Sequence, residues 1–149
     1  MRRGDVVTET PRSPLATWPA YRLIKVGERA IAEAEARLLE IGIKPRHFNV
    51  LVTVAEYPTL SQRELSTALG IDPNVMVGVI DELEAAGLAQ RQRSTVDRRR
   101  HVVVVTAEGR ALLDRGMAAL RTGQELFLAA LDKAERQRLH DLVGKLLEG

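Results

Sequence analysis

Residues 60–91 read LSQRELSTALGIDPNVMVGVIDELEAAGLAQR, and their local code decides the fold. Ser61 stands three residues before Glu64, the spacing of a capping box in which each side chain satisfies a free backbone amide of a new helix. Gly70 ends that helix, and an Asp-Pro pair two residues later supplies the N-cap and first residue of another. Gly87 stands where a left-handed C-cap ends the second helix. Two short helices joined by a glycine-containing turn predict a helix-turn-helix.

A basic segment follows this motif directly. Residues 91–101, RQRSTVDRRRH, contain five arginines and one aspartate, a net formal charge of +4, and four valines come next. The weak alternation of LAQRQRS and the β-branched run RHVVVVT predict a hairpin with its tip around residues 95–99. Duplex DNA carries a phosphate charge about every 1.7 Å of axis, so a positive hairpin beside a groove-sized helix suits it. An isolated arginine-rich turn is as readily a solubilising loop, but its position after a helix-turn-helix favours DNA binding.

Helical periodicity marks the rest of the chain. Residues 1–14 lack it and predict a mobile tail, whereas 15–42 and 107–147 repeat apolar residues at three- and four-residue steps. The predicted fold is mainly α with a small β wing, a winged helix-turn-helix flanked by N- and C-terminal dimerisation helices. One domain over 15–149 contains a DNA-binding part, 45–106. The flanking helices are richer in Leu, Ile and Val than a compact winged helix needs, which favours burial in a homodimer; a monomer with a folded-back helical hairpin is the alternative.

Composition excludes several functional classes. With no cysteine among 149 residues, the chain has no disulfide, no thiolate nucleophile and no cysteine-bound zinc. His47, His101 and His140 lie on separate predicted elements without metal-ligand spacing, and neither a Gly-rich phosphate loop nor a G-x-S-x-G elbow occurs. We therefore expect no enzyme activity, no metal and no cofactor. No apolar run is long enough to span a bilayer and no signal peptide is evident, so we expect a cytoplasmic protein without a membrane partner.

Three segments resemble the MarR (multiple antibiotic resistance regulator) family of winged-helix transcription factors: LSQRELSTALGI, VIDELEAAGL and DRRRHVVVVTAEG. Asp97 and Arg99 match the family's D-x-R wing signature, and Thr106 and Gly109 follow at the family's spacing. The resemblance covers about residues 18–147. It implies a sequence-specific double-stranded DNA-binding regulator, a repressor that acts as a homodimer on a pseudo-palindromic operator and is released by a small aromatic or lipophilic effector. A winged helix used only for protein–protein contact, without specific DNA binding, is the alternative.

The resemblance implies a division of roles within the wing. Arg99 would enter the minor groove. Asp97 would pair with an arginine and so order the tip, because an unpaired acid there would repel DNA; a simple turn residue is the alternative for Asp97. On the family register, Val102 and Val104 lie on the outer face of the returning strand. The other arginines assigned to DNA contact are Arg91, Arg93, Arg98 and Arg100.

The second helix of the motif, the predicted recognition helix, has an unusually apolar outward face. Asn74 could form a bidentate pair with adenine, and Val75 and Val77 could contact thymine methyl groups. Gly78 keeps the helix surface free of a side chain. The MarR family usually has Ser, Thr or Arg here, so specificity would depend on DNA shape and on the wing. The alternative is that Val75 and Val77 belong to the core. At the start of the first motif helix, the predicted phosphate contacts are Ser61, Gln62 and Arg63.

An effector site is predicted where the first two helices begin. In families of this shape a cleft lies between the dimerisation helices and the winged domain. An aromatic group with a cation there suits an aromatic carboxylate. The alternative is that Trp18 and Tyr21 are core or dimer contacts. The residues assigned to the effector site are Trp18, Tyr21 and Arg22 of the first helix and His47 and Phe48 of the second.

Overall fold

Six helices and a two-stranded antiparallel sheet form the part of the chain that the structure, a computed structural model, describes: residues 13–94, 97 and 101–148. The helices are α1 (Pro19–Glu40), α2 (Pro45–Glu56), α3 (Gln62–Leu69), α4 (Pro73–Ala85), α5 (Ala107–Phe127) and α6 (Lys133–Glu148), and the strands are β1 (Ala89–Arg93) and β2 (His101–Val105). This architecture confirms the predicted fold class. The predicted tail ends before residue 14, because Ser13 caps a 3-10 turn over Pro14–Thr17; residues 1–12 lie outside the described part.

The helix-turn-helix forms as its local code predicts. Ser61 accepts the Glu64 N–H at 3.3 Å while the Glu64 carboxylate accepts the Ser61 N–H at 2.7 Å, so the capping box of α3 is complete. Gly70 ends α3 at a φ of 61°, in the left-handed region that favours glycine. The Asp72 carboxylate caps the first amides of α4, and Gly87 follows its last turn at a φ of 71°.

The core lies beneath this motif, between α2, α3, α4 and β2. One prediction for β2 is wrong: Val102, expected on the outer face, is only 8% exposed. Ser61 forms an isolated antiparallel bridge with Val102, so the start of α3 extends the hairpin and covers this face. Val104 is half-buried. The largest fully buried side chains are those of Leu51, Leu65, Met76, Ile80, Leu83, Val50 and Val54.

The flanking helices form a second layer in which α1 lies antiparallel to α5. The Arg29 guanidinium stands 5.8 Å from the centre of the Phe127 ring, at the end of α5. One turn earlier on α5, a Cβ on Gly123 would lie 3.2 Å from the Arg37 side chain, which is further along α1. No described residue of α6 is buried in the single chain. Its exposed leucines are Leu142, Leu146 and Leu147.

Candidate nucleic-acid interface

The outward face of α4 is exposed and mostly apolar. Val75 and Val77 are 41% and 39% exposed, so the alternative that they belong to the core is wrong. Asn74 is exposed beside them, and a Cβ on Gly78 would meet no atom within 4 Å. The helix therefore presents one amide, two valines and a stretch of bare backbone to any partner. Its inward residues are Met76, Val79, Ile80 and Leu83.

The start of α3 lies next to the hairpin, and its three predicted phosphate contacts differ in availability. The Ser61 hydroxyl donates to the Glu64 carboxylate at 2.7 Å, so the serine acts as a cap. The Gln62 side-chain oxygen accepts two bonds from the Arg91 guanidinium, at 3.3 and 3.2 Å. Arg63 is exposed. Of the three side chains, that of Arg63 is the one with an exposed charge for a phosphate.

Arg91 is held within the protein by what we call the Arg91 network, formed with Gln62, Asp81 and Glu84. Its guanidinium lies 2.7 Å from an Asp81 oxygen and pairs with Glu84, and its backbone N–H donates to Glu84 at 2.6 Å. In the sequence, Arg91 was predicted as a DNA contact, and its pairing with acids of α4 was not predicted. The missed signal was an acid in the last turn of α4, seven residues before Arg91, with the Gly87 turn between them.

The wing hairpin leaves α4 along β1 and returns along β2. Its pairing runs from Ala89 opposite Val105 to Arg93 at the end of β1, and Arg93 is exposed. The Ser94 hydroxyl accepts the Asp97 N–H at 3.2 Å, so Asp97 is hydrogen-bonded to the residue that follows β1. Three of the five wing arginines with which Asp97 could pair lie outside the described residues: Arg98, Arg99 and Arg100.

A second ion-pair group joins the start of α2 to α4. The Lys44 Nζ and the His47 Nε2 lie 2.6 and 3.0 Å from the same Glu82 oxygen. The hydrogen bond and charge of Lys44, with a smaller contribution from His47, lower the pKa of the Glu82 carboxyl below its ordinary value. Because the folded-state pKa is lowered, the stabilisation from this contact is present at neutral pH and is lost as the pH falls through that pKa.

A cleft of about 420 Å³ opens beside this group and is here called the α2–α4 cleft. Lys44, Arg46 and His47 line it from α2 and its first turn, and Val75 and Gly78 line it from α4. Lys44 and Arg46 thus face Val75 and Gly78 across a space that fits a small molecule, and the carboxylates of Glu35 and Glu82 also line it. A molecule bound there would contact the predicted recognition helix directly.

A single chain does not bring together the five residues predicted as an effector site. His47 lines the cleft, but Phe48 is 4% exposed and packs on α5, where a Cβ on Gly116 would lie 2.1 Å from its ring. Phe48 is therefore a core residue. Trp18 is 62% exposed, and the α1 residue that lines the cleft, Glu35, lies about 25 Å further along the helix. The remaining two, Tyr21 and Arg22, share the first turn of α1 with Trp18.

Comparison with known proteins identifies the family. The family model that matches residues 41–100 is that of the MarR family. The HTH-type transcriptional repressor Rv2887 of Mycobacterium tuberculosis is 31% identical over 126 residues, which cover 85% of this chain and 91% of that protein. The chain belongs to the MarR family. Since MarR-family proteins are DNA-binding transcriptional regulators and not enzymes, the prediction of no catalytic activity is confirmed by membership.

Other MarR-family and regulatory proteins extend the likeness. The crystal structure of Rv2887 in complex with p-aminosalicylic acid has a TM-score of 0.69 at 30% identity, and covers 86% of this chain and 97% of that chain. The transcriptional repressor CouR, bound to a 23-mer DNA duplex, has a TM-score of 0.77 at 28% identity and covers 94% and 99%. A Thauera aromatica protein named for regulation of the hcr operon is 35% identical over 105 residues, 70% of this chain, and the chain spans 63% of its length.

No helix in residues 13–94 or 101–148 is both long and apolar enough to cross a membrane. Over the same part of the chain, no three His, Asp or Glu side chains converge as metal ligands would.

Proposed function

We propose that this MarR-family chain is a repressor that binds a specific double-stranded operator, with α4 in the major groove and the wing in the adjacent minor groove. The observation that carries this proposal is the exposed face from Asn74 to Gly78, which lies on the same domain as two exposed cations. Arg63 stands on α3 and Arg93 on β1. Apolar side chains on such a helix suit thymine methyl groups, while the flanking arginines suit phosphates. The DNA-bound relative CouR supports this use of the fold.

The pairing of the acids of α4 weakens the alternative of a protein–protein module. Asp81 and Glu84 pair with Arg91, and Glu82 pairs with Lys44. These three carboxylates, which could otherwise attract a basic protein partner, are thus already paired within the chain. A basic wing beside a charge-compensated helix favours DNA.

A homodimer is part of the proposal. Apolar residues of the flanking helices remain exposed in the single chain, among them Leu146 at 68% and Ile31 at 61%. Burying such side chains against a second copy contributes about 1.5–3 kcal/mol each. A two-fold dimer would present two α4 helices to half-sites about one helical turn apart, which is why a pseudo-palindromic operator is expected.

Replacing two predicted contacts should have different effects on DNA binding. Arg99→Ala is expected to weaken binding to operator and scrambled DNA alike and to reduce the log–log salt slope by about 0.9, because it removes one phosphate-region charge. Asn74→Ala should instead lose about 1–3 kcal/mol of discrimination at one base position and leave the slope unchanged. Fluorescence anisotropy over a salt series measures both quantities. Unchanged affinity for Arg99→Ala would remove the wing from the interface.

We further propose that the effector of this repressor is a small aromatic anion that binds in the α2–α4 cleft. The positive charges of Lys44 and Arg46 suit a carboxylate, and Val75 and Val79 offer apolar contacts for a ring. The relative Rv2887 supports this chemical class, since it was crystallised with p-aminosalicylic acid. An anion that takes Lys44 would leave Glu82, on the recognition helix, with His47 as its remaining partner in this group.

Lys44→Met tests this effector site with p-aminosalicylic acid as the probe. The probe concentration that halves operator binding is expected to rise about tenfold or more, because a charge-assisted bond to a carboxylate is lost. Lys25→Met is the matched control, since Lys25 pairs with Glu28 at 2.8 Å on the exposed surface of α1. An equal response of both variants to the probe would exclude the α2–α4 cleft as its site.

A further inference from the structure

Arg91 lies in the basic wing, but its contacts within the protein indicate a role other than DNA contact. We propose that Arg91 is a positioning residue for DNA recognition, which fixes the wing and α3 to the recognition helix, and that it does not contact phosphate. The proposal rests on the proposed DNA-binding function. It replaces the sequence-based assignment of Arg91 as a DNA contact.

The geometry shows one guanidinium joining three elements. Arg91 projects from β1, the first strand of the wing, and reaches Gln62 on α3 at 3.2 Å and Asp81 on α4 at 2.7 Å. Glu84 on α4 receives both the Arg91 side chain and its backbone N–H. The two contacts with Glu84 fix the direction of β1 as well as the side chain. These connections determine how the wing is oriented relative to α4.

The charges of the network oppose a move of Arg91 to a phosphate. Such a move would leave Asp81 and Glu84 as unpaired carboxylates on the helix that faces the DNA, and would remove the bond partner of Gln62. One phosphate offers at most a bidentate contact, whereas Arg91 already contacts three side chains. The side chain is also only 30% exposed. Each of these observations favours retention of the network in the DNA complex.

Arg93 supplies an internal comparison of the same residue type. Because side chains two apart on a strand share a face, Arg93 lies on the same side of β1 as Arg91, about 7 Å closer to the hairpin tip. It is exposed, whereas Arg91 is half-buried. Arg93 is the expected phosphate contact of this strand, and Arg91 the support behind it.

Glu84→Gln distinguishes a positioning role of Arg91 from phosphate contact, because the two roles predict opposite changes in operator affinity. If Arg91 positions α4, this substitution weakens the network, and operator affinity should fall about tenfold while affinity for a scrambled duplex stays equal or rises. If Arg91 contacts phosphate, the substitution frees its guanidinium and removes a negative charge, so both duplexes should bind more tightly. Tighter operator binding by Glu84→Gln would overturn the proposal.

Two arginine substitutions complete the experiment. Arg91→Lys keeps the charge but cannot bridge three partners, so we expect it to lose about tenfold in operator affinity as Arg91→Gln does. Arg93→Gln should weaken both duplexes equally and reduce the salt slope by about 0.9. Wild-type operator affinity for Arg91→Lys, or effects of Arg91→Gln and Glu84→Gln that simply add, would contradict a positioning role. Thermal unfolding of each variant shows whether a loss on both duplexes is only misfolding, and failure of the wild-type chain to bind operator would reject the proposed function instead.

Discussion

Gly109→Ala is expected to lower the free energy of unfolding by about 3 kcal/mol, and the melting temperature by about 10 °C. A Cβ on Gly109 would lie 2.0 Å from the Leu88 carbonyl oxygen and 2.7 Å from a Val105 methyl carbon. The oxygen cannot easily move, because it accepts the Thr106 N–H at 3.1 Å where the wing meets α5. Circular dichroism melts at one fixed protomer concentration measure the loss.

Gly78→Ala is the matched control for this prediction. Gly78 also lies within a helix, but its Cβ would meet no atom within 4 Å, so alanine should raise stability by about 0.5–1 kcal/mol through its higher helix propensity. Operator affinity of the same variant should fall, since the added methyl group lies on the proposed DNA-facing surface. Equal stability changes in the two glycine variants would show that the close approach at Leu88 has no energetic role.

Leu142→Glu combined with Leu146→Glu is expected to convert the proposed dimer to a monomer. These leucines are 52% and 68% exposed in the single chain, so the charges should be harmless to a monomer and costly in a buried interface. A monomer reads one half-site, so operator affinity should drop by about 100-fold or more through loss of the linked second contact. Light scattering after gel filtration and operator titration provide the two measurements.

The control for the dimer variant adds the same two charges elsewhere. Tyr57→Glu with Thr59→Glu places them on exposed residues between α2 and α3, and the mass should remain that of a dimer. A double-leucine variant that keeps the wild-type mass would mean that α6 is not part of the interface.

The fold was predictable from the sequence wherever it depends on interactions between residues close in the chain. The capping box of Ser61 and Glu64 and the left-handed glycines depend on residues that are close in the chain, and their residue types state the geometry required. Thr106 forms one hydrogen bond that the local sequence predicts and one that it does not. Its hydroxyl accepts the Gly109 N–H at 3.0 Å, as a cap within one turn, but also donates to the Gly87 carbonyl at 2.6 Å, a contact between segments 19 residues apart.

The errors concern contacts between distant segments. The prediction that Val102 lies on the outer face is wrong because the family register does not show that Ser61 lies against it. Arg91 counted as a free cation because charge counting does not reveal that Gln62 and Asp81 converge on it. The five residues predicted as an effector site do not meet within a single chain, since Trp18 and His47 lie at the starts of two helices whose starting points the fold keeps apart.

A salt titration of DNA binding distinguishes specific DNA recognition by this chain from a general attraction to nucleic acid. Fluorescence anisotropy would compare the duplex upstream of its own gene with a scrambled duplex of equal length, from about 50 to 200 mM salt. We expect the native duplex to bind about 1,000-fold more tightly, with affinity falling steeply and linearly on logarithmic axes as salt rises. Equal affinity for both duplexes, or binding that does not respond to salt, would show that this chain is not a specific DNA-binding protein of the proposed kind.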